Sequence, residues 1–166
     1  MTKLALLAAA AVAATAAMMA APASAQSVTN GNVYANLGYT QFNTDRGDLG
    51  AVTGRLGYRF TPYLSAEAEY SKGVNNSFRG DLNNSWGVYG RVGVPVAQNF
   101  EVFGRAGYQE TNIDGRNGFA DRDGQGLGYG AGVQWNATPG FGVRGEYTRL
   151  TDVDADAWSL AGAVAF

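Results

Sequence analysis

The chain of 166 residues contains no histidine and no cysteine, and these two absences exclude several kinds of protein. Without histidine, the chain lacks the side chain that enzymes use most often as a general base near neutral pH. Without cysteine, it has neither a disulfide framework nor a thiol for lipid attachment. No other constellation of serine or carboxylate side chains stands out. We therefore expect no enzyme activity, no cofactor and no metal site.

Charged residues are also scarce. They make up 16 % of the chain, whereas soluble domains contain about 25 %. The formal net charge at pH 7 is −2, and removal of Lys3 with a leader peptide would make it more negative. A chain with this charge is not expected to bind nucleic acid.

Long apolar runs are confined to the first 25 residues. Lys3 is followed by an Ala/Leu/Met run and by the small-residue site Ala23-Ser24-Ala25, which is the order of a secretory signal peptide. We predict cleavage before Gln26, with residues 26–166 as one mature domain. The alternative is a transmembrane anchor, because the run approaches spanning length. Pro22 and the cleavage site favour removal, and no later run is long enough for a membrane helix.

Glycine and aromatic residues are abundant, with 24 glycines and an aromatic content of 12 %. Past Gly31, large apolar residues alternate with small or polar ones, and this period of two predicts β-strands. Segments of roughly ten residues suit a tilted membrane strand. The eight segments are 33–40, 52–60, 64–71, 85–94, 100–109, 127–135, 141–148 and 157–166.

The connections between these segments differ at alternate positions. Three are short and contain proline or asparagine, as tight turns do: 61–63, 95–99 and 136–140. The other four are longer on average and polar: 43–49, 71–84, 111–125 and 151–156. Short turns at one end and longer loops at the other are typical of an outer-membrane barrel. An even number of strands then places both termini at the short-turn, periplasmic end.

Alternation alone does not say which face is buried, and a soluble barrel of the lipocalin kind would bury the apolar face. The polar face is mostly small residues with a few long charges, which suits a narrow lumen better than a solvated surface. The apolar face carries its aromatic residues near the strand ends, as two lipid–water interfaces require. We therefore predict an all-β fold, an eight-stranded antiparallel up-and-down transmembrane β-barrel. The upper belt is Tyr39, Tyr70, Trp86, Tyr108, Tyr147 and Trp158, and the lower belt is Phe60, Phe100, Trp135, Phe141 and Phe166.

The inward face carries five arginines and four glutamates, which is close to the balance that buried charges need. The turn at Pro62 places Arg55 opposite Glu69, and the turn near Ala137 places Arg144 and Glu146 opposite Gly132 and Gly130. Side chains largely fill an eight-stranded barrel, so we interpret the charges as an ion-pair network that plugs the lumen. The alternative is a gated path for protons or ions. The predicted network is Arg55, Arg59, Glu67, Glu69, Arg91, Glu101, Arg105, Arg144 and Glu146.

Three features of the predicted outer end allow further hypotheses. Lys72 and Arg149 lie just above the upper belt, where they would either snorkel or contact lipopolysaccharide phosphates. "RGDL" occurs at 46–49 and at 79–82 and resembles an integrin-recognition signal, so adhesion through these loops is a further hypothesis, although turn chemistry explains the motif too. The stretches "TDVDADAW" and "DRDGQG" do not have both the glycine and the closing glutamate at the spacing of a calcium loop, so we expect solvated acidic loops there.

Four stretches carry a family resemblance: "SAEAEYS" (65–71), "GYGAGVQW" (128–135), "GFGVRGEYTRL" (140–150) and the terminal Phe166. With these the chain resembles the small eight-stranded outer-membrane β-barrel domain family, which includes the transmembrane domain of outer membrane protein A and outer membrane protein X. The resemblance implies a Gram-negative outer-membrane location, and it implies that the assembly machinery reads the terminal aromatic residue. It also implies a structural or surface-interaction role, with a small porin-like channel as the alternative. Because the sequence stops at the barrel, no peptidoglycan-binding domain is expected.

Overall fold

The computed structural model describes residues 33–44, 47–75, 80–115, 122–151 and 154–166. The predicted signal peptide, residues 1–25, lies outside these ranges. The described residues form eight strands that pair in sequence order as one closed antiparallel barrel. The strands are β1 Val33–Thr44, β2 Gly47–Arg59, β3 Leu64–Asn75, β4 Gly80–Ala97, β5 Phe100–Gly115, β6 Arg122–Thr138, β7 Phe141–Leu150 and β8 Ala155–Ala165. The predicted fold class is confirmed.

The barrel closes where β1 pairs with β8, from Tyr34 opposite Ala165 to Asn43 opposite Asp156. The backbone N–H of Phe166 donates to the carbonyl of Val33 at 2.9 Å. The chain therefore ends on a residue that is tied into the sheet. Closure leaves no unpaired sheet edge along these strands. The backbone N–H and C=O groups of such an edge would find no hydrogen-bond partners in hydrocarbon.

The connections at the two ends of the barrel differ in length, although the difference is smaller than the sequence predicted. At the short-turn end the connections are 60–63, 98–99 and 139–140, and the hydroxyl of Thr61 accepts a hydrogen bond from the backbone N–H of Leu64 at 2.9 Å. At the opposite end, which we call the hairpin end, strands run through most of the segments predicted to be loops. The parts of those linkers at 45–46, 76–79, 116–121 and 152–153 lie outside the described residues.

Backbone pairing explains why the strands are longer than predicted. β4 and β5 remain paired up to Gly80 opposite Gly115, and β5 and β6 up to Ile113 opposite Arg122. Their polar residues also pair across strands, as when the side-chain amide of Asn112 donates to Asn84 at 3.0 Å. Asparagine, aspartate and glycine are turn-forming residues by propensity, but ladder hydrogen bonds do not depend on side chains.

The barrel has its polar face inside. Outward residues such as Leu56 (58 % exposed) and Val88 (54 %) are open, whereas the inward Glu67 and Arg144 are 1 % and 0 % exposed. A soluble barrel has the reverse arrangement, and hydrocarbon around the barrel removes the cost of exposing these aliphatic side chains. No helix within the described ranges is long and apolar enough to cross a membrane.

The predicted aromatic positions mostly line the outer surface. Phe141 and Tyr147 are half-buried, and Tyr147 packs against Trp158 with ring centroids 4.8 Å apart. Tyr39 differs, because it is only 9 % exposed although its strand position faces outward. The exposed predicted belt residues are Phe60, Tyr70, Trp86, Phe100, Tyr108, Trp135, Trp158 and Phe166.

Candidate functional site

The centre of the lumen contains a cluster of buried ion pairs contributed by four strands. Arg55 on β2 donates through Nε to Glu69 Oε2 on β3 at 2.6 Å, across the register that the Pro62 turn predicts. Arg105 on β5 reaches the same carboxylate with Nη2 at 2.7 Å. Glu146 on β7 faces both guanidiniums, 3.2 Å from Arg105 Nε and 3.4 Å from Arg55 Nη2. The four groups link the β2–β3 wall to β5 and β7.

Glu67 is the centre of a second, adjoining group. Its carboxylate lies 2.5 Å from Arg144 Nη1, 3.5 Å from Arg105 Nη1 and 3.7 Å from Arg91 Nε. The hydroxyl of Tyr34 also donates to Glu67 at 2.7 Å. A carboxylate with three guanidiniums around it has its charge fully compensated, which is what burial of a charge demands.

Two further ion pairs extend the cluster along the lumen. Arg144 bonds to Glu146, two residues along the same strand, with Nε 2.9 Å from Oε2. Arg91 pairs with Glu101 towards the short-turn end. Of the nine predicted residues, eight are thus brought together. Arg59 is the exception, because its guanidinium carbon lies 5.5 Å from the ring centroid of Tyr34 instead.

The register on β7 differs from the sequence prediction by two residues. Glu146 pairs with Gly132, and Arg144 pairs with Gln134 rather than with Gly132. The cause is the turn, which lies at 139–140 and follows an irregular pairing between Asn136 and Thr138. On the other side Arg144 faces Ala161 and Glu146 faces Ser159. Three of these four neighbours, Gly132, Ala161 and Ser159, are small and leave room for the two long side chains.

Buried aromatic side chains complete the cluster, and they were not among the predicted site residues. The Arg105 guanidinium carbon lies 3.6 Å from the ring centroid of Tyr89, and those of Arg91 and Arg144 each lie 4.2 Å from that of Phe103. Such cation–π contacts add to the stability of a desolvated guanidinium. The available signal was that Tyr89 and Phe103 occur on the polar face of their strands.

Two glycines on β6 make room for these rings. A Cβ atom at Gly128 would lie 2.7 Å from the Tyr89 hydroxyl, and one at Gly132 would overlap the ring of Phe103. Real Cβ atoms essentially never come this close to other heavy atoms. The inward glycines therefore provide space for the buried aromatic rings as well as for the long charged side chains.

Towards the hairpin end, a layer of neutral polar side chains covers the ion pairs. The Thr53 hydroxyl donates to Thr40 at 2.7 Å, and Gln109 donates to Ser85 at 2.7 Å. Above this layer lies an apolar cluster that consists of Phe42, Leu49, Ala51, Leu150, Ala155 and Ala157. Between the cluster and the ion pairs there is a cavity of only about 10 Å³.

Towards the short-turn end the lumen opens. A cavity of about 450 Å³ is lined there by Arg59, Glu101, Gln134 and the residues of the short turns. It ends at the Arg91–Glu101 pair, whose side chains are 3 % and 13 % exposed. The lumen is thus accessible from one end and densely filled beyond this pair.

The outward cations near the hairpin end have different partners. The ammonium of Lys72 donates to the neutral amide oxygen of Asn83 at 2.8 Å. Arg149 instead makes ion pairs with Asp156 at 2.9 Å and with Asp154 at 3.1 Å. The acidic stretch predicted to be a solvated loop is therefore partly neutralised by Arg149.

The remaining motifs of this end lie partly outside the described residues. Asp121 and Asp152 fall outside, as do Arg46 and Arg79 of the two "RGDL" stretches. Gly47 and Gly80 begin strands β2 and β4. Among the residues that the structure describes, no group of three or more acidic side chains is arranged to hold a metal ion.

The sequence of the chain matches a family model over residues 7–166, and that model describes the outer membrane protein beta-barrel domain. The chain belongs to this family. No curated protein matches the chain.

Solved structures of outer-membrane proteins share the fold of this family member. One of them is Ail, the attachment invasion locus protein of Yersinia pestis, in complex with the heparin analogue sucrose octasulfate. Its sequence is 19 % identical to this chain and its TM-score is 0.62, and the match covers 83 % of this chain and 100 % of Ail. The N-terminal barrel of Pseudomonas aeruginosa OprF is 16 % identical with a TM-score of 0.63, over 82 % and 98 % of the two chains. Neisserial surface protein A is 16 % identical with a TM-score of 0.57, over 84 % and 98 %. At these identities the likeness concerns the fold.

Proposed function

We propose that the mature chain is an integral outer-membrane barrel that stabilises the envelope or presents its hairpin end to partners outside the cell. In this proposal the signal peptide, residues 1–25, is removed on export. The short-turn end faces the periplasm, and Phe166 serves as the recognition residue for the assembly machinery. In this proposal the chain has no catalytic role, because the lumen glutamates that the structure describes are held in ion pairs with arginines and are not free to act as general bases.

The arrangement of side chains along the lumen is the observation that carries the proposal. The ion pairs, the neutral polar layer and the apolar cluster around Phe42 follow one another along the barrel axis. An ion that entered from the short-turn end would have to separate buried charge pairs and then cross apolar side chains. Each of these steps is costly in a medium of low dielectric constant. A barrel built in this way supports a structural or surface role better than a transport role.

Cell fractionation combined with gel migration tests the location. We expect the protein in the outer-membrane fraction, with a folded band that migrates differently from the boiled band, because a closed barrel resists detergent until heated. We also expect the mature protein to begin at Gln26 by N-terminal sequencing. Recovery as a soluble periplasmic species would contradict the proposal.

A low-conductance channel is the second candidate, and the cavity of about 450 Å³ at the short-turn end favours it. Planar-bilayer recordings of the purified, folded protein distinguish the two roles. We expect a silent bilayer, whereas discrete conductance steps would establish the channel. Phe42→Ala serves as a comparison, because it thins the apolar cluster without removing a charge. If the wild type is silent, this variant tells whether the ion pairs alone suffice to close the lumen.

A further inference from the structure

The outer surface has a groove over strand β2, centred on Gly54. Gly54 pairs with Leu37 on one side and with Tyr70 on the other, so two large side chains flank a position that has none. A Cβ atom at Gly54 would meet only Leu37 Cδ1, at 4.0 Å. The flanking strands are two strand spacings apart, about 9–10 Å. The groove has a volume of about 620 Å³.

The lining of the groove is apolar apart from one end. Val52 and Leu56, above and below Gly54 on β2, are exposed, and both line the groove. Lys72 lies directly opposite Val52 and also contributes to the lining. The groove therefore runs along the membrane-facing surface and has a cation at the hairpin end.

The partners of Lys72 differ from those of Arg149, the other outward cation considered from the sequence. Among the side chains that the structure describes, Lys72 has the neutral Asn83 as its polar partner, while Arg149 is paired with two aspartates. An exposed ammonium whose described polar partner is a neutral amide attracts an anion at membrane-interface level, and phosphate is a common ligand of lysine. Lys72 is thus the better phosphate site of the two cations considered from the sequence.

We propose that this groove binds one acyl chain of a phosphorylated outer-leaflet lipid, lipopolysaccharide, with a phosphate group on Lys72. The inference rests on the proposed function, because it requires the hairpin end to face outward. An acyl chain over Gly54 would cover apolar surface on three strands, and its headgroup would then lie beside Lys72. The two contacts reinforce each other, since each positions the lipid for the other.

Lipid binding by the folded barrel in neutral detergent tests this inference, with native mass spectrometry as the readout and lipid A as the probe. We expect Lys72→Gln and Gly54→Leu each to weaken binding about tenfold, which corresponds to the loss of one charged or well-packed contact. Arg149→Gln and Gly145→Leu are the matched controls. Gly145 also faces outward, and a Cβ atom there would meet nothing within 4 Å. We expect both controls to bind as the wild type does.

Two further arms keep the test decisive if Gly54→Leu fails to fold. Dephosphorylated lipid A should bind the wild type about as weakly as lipid A binds Lys72→Gln. Phosphatidylglycerol should bind more weakly than lipid A, whereas equal binding would identify a general anionic-lipid surface and overturn the inference. Equal losses from Lys72→Gln and Arg149→Gln would overturn it as well. These results concern a barrel with heat-modifiable migration, so they are separate from any failure of the proposed location.

Discussion

Replacing Glu67 with glutamine is expected to lower the free energy of unfolding by about 3–5 kcal/mol, because removal of one partner leaves buried charges uncompensated. The substitution keeps the shape of the side chain, removes its charge and replaces one acceptor oxygen with an amide donor. Arg144, Arg105 and Arg91 all lie within 3.7 Å of this carboxylate. All three guanidiniums are almost completely buried, so water cannot replace the lost charge.

Urea titration of the refolded protein in lipid vesicles measures this effect, with tryptophan fluorescence and gel migration as independent probes. Glu101→Gln is the matched control, because Glu101 is inward and paired with Arg91 but lies at the open cavity and keeps 13 % of its side chain exposed. We expect it to cost less than about 2 kcal/mol. Similar losses for the two variants would mean that the Glu67 cluster is not specially buried.

A double variant separates the lost attraction between Glu67 and Arg144 from the cost of leaving a buried charge without a partner. Arg144→Met in the Glu67→Gln background removes one positive and one negative charge and keeps the lumen balanced. Because the double variant removes a guanidinium that Glu67→Gln alone leaves without its carboxylate, it should be more stable than the sum of the single losses implies. The expected coupling energy is about 1–3 kcal/mol.

The composition of this network was predictable from the period-two pattern because the barrel has only two faces. Once the aliphatic and aromatic residues are assigned to lipid, every residue of opposite parity must point inward. The register between β2 and β3 followed from a short turn at Pro62, and the pairing of Arg55 with Glu69 in the structure has that register. Local signals were sufficient here because the turn leaves little freedom.

Other parts of the site depend on features that residue types do not reveal. The position of the 139–140 turn and the irregular pairing at Asn136 shift β7 by two residues relative to the prediction. Glu67 contacts arginines on three other strands, and such contacts across the lumen depend on how the strands are staggered around the whole barrel. Tyr89 and Phe103 were on the inward face, but a preference for lipid-facing aromatics concealed their role as guanidinium partners.

The burial of Tyr39 has a related origin. The prediction that Tyr39 lies on the outward face of its strand was correct, but the exposed fraction of its side chain depends on the side chains of adjacent strands. Val52 and Leu160 are its direct cross-strand partners, and both carry branched side chains on the same face. Parity therefore predicts the direction of a side chain on this surface, while exposure also depends on the size of the neighbours.

Gly107→Ala is expected to lower the free energy of unfolding by about 3 kcal/mol, although the change adds only one methyl group. Gly107 faces inward on β5 opposite Tyr89 of β4. A Cβ atom there would overlap the carbonyl oxygen of Val88 and lie 2.6 Å from the Cα atom of Tyr89. These are backbone atoms of a paired strand, so relief of the overlap requires distortion of the β4–β5 ladder. Overpacking of this kind typically costs 1–3 kcal/mol.

Gly104→Ala is the matched control on the same strand. Gly104 faces outward, and a Cβ atom there would have only the carbonyl oxygen of Gly130 nearby, at 3.8 Å. Lipid can accommodate a methyl group at this position, so we expect unfolding free energy within about 0.5 kcal/mol of the wild type. The same urea titration measures both variants. If Gly104→Ala proved the more damaging, β5 would present the opposite face to the lumen, and the arrangement of Arg105 between Glu69 and Glu146 would be impossible.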